Sequence, residues 1–190
     1  MVTAERSRTG RSLAGKKMTE DELIALPDDG RKYELVDGRA KEVPTGARHG
    51  RIGTRLIRML GPYADTVGEI FDSSTGFRMP AGNIRSPDVS VVLRSRFPDG
   101  RVPAGYLDGA PDLAVEIVSP TEDRNDASRK IGEYFDAGAQ QVWIVQPVTR
   151  TVTVYHSMDR VRTYEAHEEL EGGDLLPGFR CVVSDVFMAL

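Results

Sequence analysis

Apolar and polar positions alternate in short blocks along this chain, and the period changes several times. Thr19-Glu20-Asp21-Glu22 has the S/T-x-x-E form of a capping box. A short helix through Leu23, Ile24 and Leu26 should follow, closed by Pro27. Residues 31–36 and 39–43 are strand-like and flank Asp37-Gly38, a strong hairpin signal. From 49 to 60 the period turns helical: Ile52, Leu56 and Leu60 recur every four residues, with Met59 alongside. Arg48, Arg51, Arg55 and Arg58 form a basic stripe on another face of that helix, and Gly61-Pro62 is expected to end it.

Strand-like runs follow at 67–71 and 88–93, then a Gly/Pro-rich loop over 94–109 that carries Arg94, Arg96 and Arg101. Residues 113–118 are nearly all apolar. A helix is predicted over 123–137, with Ile131, Tyr134 and Phe135 on its inner side and Gly138 as its stop. Residues 142–145 and 151–155 are β-branched strands joined by a loop at 147–150. A further strand is expected at 161–166, and strand and turn over 177–190. The order is that of an α/β fold, a mixed β-sheet flanked by α-helices with additional β-hairpins.

Composition changes this picture little. Over 190 residues, 39% are hydrophobic and 28% charged, the balance of a globular chain. Cys181 is the one cysteine, which excludes an internal disulfide framework and a cysteine-based zinc site. It reads as a small core hydrophobe, as Trp143 reads as core. No apolar run approaches the roughly 20 residues of a membrane span, and no hydrophobic stretch follows the basic start. A soluble cytoplasmic protein is expected. Charge matters more. Residues 1–17 hold five basic residues and one acid, so the net charge of −4 splits into +4 for this segment and −8 for the rest. Residues 1–17 are expected to be a mobile basic tail, and 18–190 the folded domain. Phosphate contacts on an acidic body need a local basic patch or a cation held by the acids.

The informative position is Glu116, inside Leu113-Ala114-Val115-Glu116-Ile117-Val118. A run apolar on both faces is a central strand, and a carboxylate there needs a positive partner or a raised pKa. Asp88 opens the other apolar strand and is the first candidate to share that partner. Two such oxygen donors suit Mg²⁺ or Mn²⁺; a structural ion pair accounts for them equally well. Lys130, on the following helix, either turns toward the sheet or pairs with Asp126 four residues earlier.

These residues lie in a larger set: "YELVDG" (33–38), His49 opening a helix, "SPDVSVV" (86–92), "PDLAVEIVSP" (111–120), "RKIGEYFDAG" with Lys130, "VWIVQP" (142–147) and "LPGF" (176–179). Together they resemble the PD-(D/E)XK nuclease superfamily and, more narrowly, its Uma-two family of restriction-type endonucleases. The resemblance implies a restriction-endonuclease-like fold and a metal-dependent DNA endonuclease that hydrolyses phosphodiester bonds. It implies Mg²⁺, with Mn²⁺ as a substitute, on Asp88, Glu116 and the carbonyl of Ile117. Lys130 would act on the attacking water and the developing charge, and Glu34 would be a third carboxylate. His49, Arg48, Arg51 and Arg55 are candidate phosphate contacts. A satisfied core histidine and a solvated helix face are the plainer readings of these four. DNA is the implied partner and a homodimer the implied assembly. The alternative is a catalytically silent nucleic-acid-binding module on the same fold. Three departures stand out: Val118 where the superfamily's lysine would fall, Gln146 where the family has Asp, and a second Pro-Asp at Asp112, expected to end the long loop.

Overall fold

The computed structural model describes residues 12–26, 31–43, 46–97, 99–118 and 124–188. Helix α1 (Glu20–Ile24) carries the full capping box: Thr19 Oγ1 accepts from the Glu22 N–H, and the Glu22 carboxylate accepts from the Thr19 N–H at 2.8 Å. Strands β1 (Lys32–Val36) and β2 (Arg39–Val43) form the expected hairpin. Asp37 and Gly38 both have positive φ, 51° and 67°, the twist-matched pair that a two-residue turn requires. Residues 1–11 of the expected basic tail lie outside the described residues. Its last part, 12–17, is bonded to β2: Gly15 N–H donates to Ala40 O at 2.7 Å, and Lys17 bridges Arg39.

Helix α2 (Ala47–Val67) runs past the predicted stop, with Pro62 inside it. A proline removes one helical hydrogen bond and disfavours the turn before it. Packing offsets that cost here: Ala64 is fully buried, and Tyr63 meets Phe179 edge-on at 5.4 Å. Gly68 ends the helix and opens β3 (Gly68–Asp72). A Cβ at this position would lie 2.0 Å from the backbone oxygen of Val92 on the neighbouring strand. Gly68→Ala should therefore destabilise the fold by about 3 kcal/mol, at the upper end for overpacking. A urea-denaturation midpoint equal to that of the parent would contradict this.

Strands β4 (Phe77–Arg78), β5 (Ile84–Arg85) and β6 (Val89–Leu93) precede a 3₁₀ turn at Arg94–Arg96 and strand β7 (Leu107–Asp108). The stretch expected to be all loop thus contributes a short strand, paired in parallel with β4. Two-residue strands have no period to read. Arg94 and Arg96 donate to the carbonyls of Asp65, Ala110 and Asp108, which ties this segment down. Next come β8 (Leu113–Ile117), α3 (Arg124–Asp136), β9 (Gln141–Gln146), β10 (Thr151–Tyr155) and β11 (Val161–Tyr164). The C-terminal region forms β12 (Glu169–Glu171), β13 (Arg180–Val182) and helix α4 (Val183–Phe187). The helix is a correction to the expected strand and turn: Val183, Val186 and Phe187 share one face and are buried together.

The main sheet has six strands in the order β11-β10-β9-β8-β6-β3, and β8-α3-β9 is its parallel crossover. A second sheet runs β2-β1-β5-β4-β7, and β12 pairs with β13. On one face of the main sheet Ile52, Leu56 and Leu60 of α2 pack on Val89, Val91, Val115, Ile117 and Trp143. On the other face Ile131 and Tyr134 of α3 pack on Ala114, Val142 and Ile144, and Phe77 and Leu107 of the second sheet join them. The expected α/β architecture of mixed sheets with flanking helices is the observed one. Among the described residues no helix is long and apolar enough to cross a membrane.

Candidate active site

Strand β8 is covered on both faces, so a polar group can emerge only near its end. Antiparallel β6 pairs with it in the register Val89↔Val115, and just before that pair the Asp88 N–H donates to Val115 O at 3.0 Å, which seats Asp88 at the end of the ladder near Glu116. Asp88 is 7% exposed. Its Oδ2 accepts the Ile117 N–H at 2.8 Å. Its Oδ1 lies 2.8 Å from His49 Nε2 and 3.9 Å from Lys32 Nζ. Burial works to raise the Asp88 pKa, but His49, Lys32 and the Ile117 N–H outweigh it and hold the carboxyl below its ordinary value. His49 comes from the first turn of α2, and contact with Asp88 raises its pKa in turn.

Glu116 is reached from α3 on the other face. Lys130 Nζ donates to its Oε2 at 2.8 Å, and the Tyr134 hydroxyl donates to its Oε1. Lys130 and Tyr134 are four residues apart, so one helical face delivers both. Asp126, the alternative partner of Lys130, pairs instead with Lys41 at 3.1 Å. Burial lifts the Glu116 carboxyl to about 6; Lys130 pulls it down, and the Asp88 and Glu34 carboxylates push it up. This carboxylate is short of positive charge.

Glu34 is the third acid in the cluster and is 1% exposed. It lies 3.2 Å from Lys130 Nζ and 3.1 Å from Arg85 Nη1, and it accepts the Ser86 N–H at 3.1 Å. Burial would raise its pKa, but Lys130, Arg85, the Ser86 N–H and Lys32 together bring it down to about 2. Arg85, itself 1% exposed, also binds Glu133 of α3 at 2.7 Å. The structure therefore brings Asp88, Glu116, Lys130, Glu34 and His49 together. It adds Lys32, Arg85, Glu133 and Tyr134, which sequence reasoning missed. An arginine beside Ser-Pro-Asp and a lysine two residues before Glu34 were the available signals, and neither says what it pairs with.

The arginine stripe divides. Arg48 and Arg51 are exposed on the first turns of α2, and Arg48 also donates to Pro147 O at 3.1 Å. Arg55 is half-buried, and its Nε has no hydrogen-bond partner. Asp112 is structural: it accepts the Leu93 N–H and the Gln140 side-chain amide, both at 2.8 Å, and so stitches the start of β9 to the end of β6. Gln146 takes part in a turn, where its carbonyl accepts the Arg150 N–H at 2.8 Å. The Val118 N–H donates to Val145 O, as an ordinary sheet residue would. Burial, with Asp185 and Glu169, pushes the Cys181 thiol up to about 12, so it is not a nucleophile at neutral pH.

The donor set suits a hard cation. The Asp88 and Glu116 carboxylates are near enough for one to act on the charge of the other, and His49 Nε2 beside Asp88 Oδ1 is buried without an in-line hydrogen-bond partner. Among the described residues no three His, Cys, Asp or Glu side chains converge to cage an ion. Mg²⁺ needs no such cage, because it binds through one or two carboxylates and keeps several waters.

The fold is found elsewhere. A crystal structure described as that of "a putative nuclease belonging to DUF820 from Anabaena variabilis ATCC 29413" matches with a TM-score of 0.78 and 22% identity, over 90% of this chain and 97% of that one. A search of curated proteins finds no match. Residues 20–186 match the Uma2 family, whose description reads "Putative restriction endonuclease". That match runs from the start of α1 into α4 and includes all the clustered residues above, and the chain belongs to the Uma2 family.

Proposed function

We propose that this protein is a Mg²⁺-dependent endodeoxyribonuclease that hydrolyses DNA phosphodiester bonds. Asp88, Glu116 and the Ile117 carbonyl would hold the ion, and Mn²⁺ would substitute for it. The bound metal would supply Lewis acidity toward a phosphoryl oxygen and a water of lowered pKa. The rest falls to the chain. Lys130, fully ionised between Glu116 and Glu34, orients the attacking water and offsets negative charge as it develops on the phosphate. Glu34 fixes the Lys130 ammonium from the side opposite Glu116. His49 holds Asp88 from the α2 face, and Arg48, Arg51 and Arg55 extend from that helix as phosphate contacts. A homodimer would present two such sites to two DNA strands.

The observation that supports this reading is the meeting of Asp88, Glu116 and Lys130 at one end of the sheet, in a chain of this family. Plasmid nicking with Mg²⁺, Mn²⁺ or EDTA tests it, alongside thermal melting in each. Cleavage with either ion and none with EDTA is expected. A metal bound only to the native state at about 100 times its Kd adds roughly 2.7 kcal/mol, which raises Tm by several degrees. A raised Tm without cleavage of any DNA substrate favours the silent module. No shift with either ion, together with no cleavage, means that Glu116 and Lys130 are only a buried ion pair.

A further inference from the structure

Lysine is seldom buried, because its ammonium is strongly hydrated and its stem is flexible. Lys32 is an exception. It opens β1, and alternate residues of a strand share a face, so it enters the polar cluster beside Glu34. Its side chain is 15% exposed. Nζ donates to the Ser86 carbonyl at 2.6 Å and stands 3.9 Å from Asp88 Oδ1. Burial lowers its pKa, while Asp88, Glu116 and Glu34 oppose that effect.

The two distances separate two tasks. The bond to Ser86 O needs only a neutral donor, which an amide could supply. The 3.9 Å gap to Asp88 is too long for a hydrogen bond and short enough for a strong field. The ammonium therefore offsets the Asp88 charge without bonding to Oδ1, the oxygen that His49 Nε2 approaches at 2.8 Å. Lys130 does the reverse at Glu116, where it occupies an oxygen directly at 2.8 Å. A fixed positive charge next to a divalent site weakens that site unless more negative charge arrives, and a phosphate would bring it.

We propose that Lys32 is a positioning residue that sets how strongly the Asp88–Glu116 pair takes a divalent cation, keeping that affinity low until a phosphate joins the site. The proposal rests on the metal-dependent reading above. Isothermal calorimetry with Mn²⁺ alone, on the full-length protein without DNA, tests it. Lys32→Gln should bind Mn²⁺ about ten-fold more tightly than the parent. Lys32→Arg, which keeps the charge, should stay within about two-fold. Lys32→Met serves as a second neutral variant with the same expectation as Lys32→Gln, and cooperative melting confirms that each is folded. If neither the parent nor a neutral variant binds Mn²⁺, the metal-dependent reading itself fails. If the parent binds but neither neutral variant binds more tightly, the role of Lys32 is overturned and that reading stands. Failure of both neutral variants to fold also overturns it, since the charge would then serve the fold.

Discussion

Glu116→Gln and Asp88→Asn should each lower the rate of DNA cleavage by roughly 10³-fold or more, equivalent to several kcal/mol of lost transition-state stabilisation. Both changes keep the shape of the side chain and remove its charge. In Glu116→Gln the amide oxygen can still accept from Lys130 or Tyr134, so the α3 contact persists. In Asp88→Asn the amide oxygen can still accept the Ile117 N–H. Burial already lifts the Glu116 carboxyl to about 6, so its neutral isostere should cost the fold little. Loss of cleavage is expected in both, with an unchanged melting curve for Glu116→Gln and a somewhat lowered Tm for Asp88→Asn, whose depressed carboxyl pKa means that its charge stabilises the fold. Parental cleavage rates in both variants would remove these two residues from the site.

Arg85→Met should cost about 3–5 kcal/mol of folding stability, the typical loss when one partner of a buried ion pair is removed. Arg85 lies between Glu34 of β1 and Glu133 of α3, with all three side chains largely out of water. Methionine fills much of the volume but leaves Glu34 to Lys130 and the Ser86 N–H alone. The pH dependence carries a sign. The Glu34 carboxyl is depressed to about 2 in the fold, so its stabilising contribution is complete above its unfolded value, near 4.5. That contribution is lost as pH falls toward 2. The penalty of Arg85→Met should therefore be largest at neutral pH and shrink below about pH 4.5. Urea denaturation at pH 7 and pH 3 measures both. An equal penalty at the two pH values would mean that Glu34 is not the group Arg85 compensates.

The arginine network also shows where reading the chain runs out. Hairpin β1–β2 was legible because Asp-Gly specifies a local turn between alternating runs, and α1 was legible because its capping box lies within four residues. Glu116 stood out because a carboxylate in an apolar strand is locally anomalous, and Asp88, Glu34 and Lys130 because ordered motifs of the Uma2 family surround them. Helix α2 overran its predicted stop because the turn beyond Pro62 is held by Tyr63 and Ala64 against distant residues, a contact no window of sequence contains. The short strands β4, β5 and β7 form only by pairing with each other and with β1.

Local chemistry therefore determined which residues in this chain are costly and need partners. Tertiary structure alone decided who those partners are. Arg85 meets an acid 51 positions before it and another 48 after it, and Lys32 reaches Ser86 across 54. An ionisable group carries a charge but no address. The register of β1 on β5 and of β6 on β8, together with the face that α3 turns to the sheet, supplies the address.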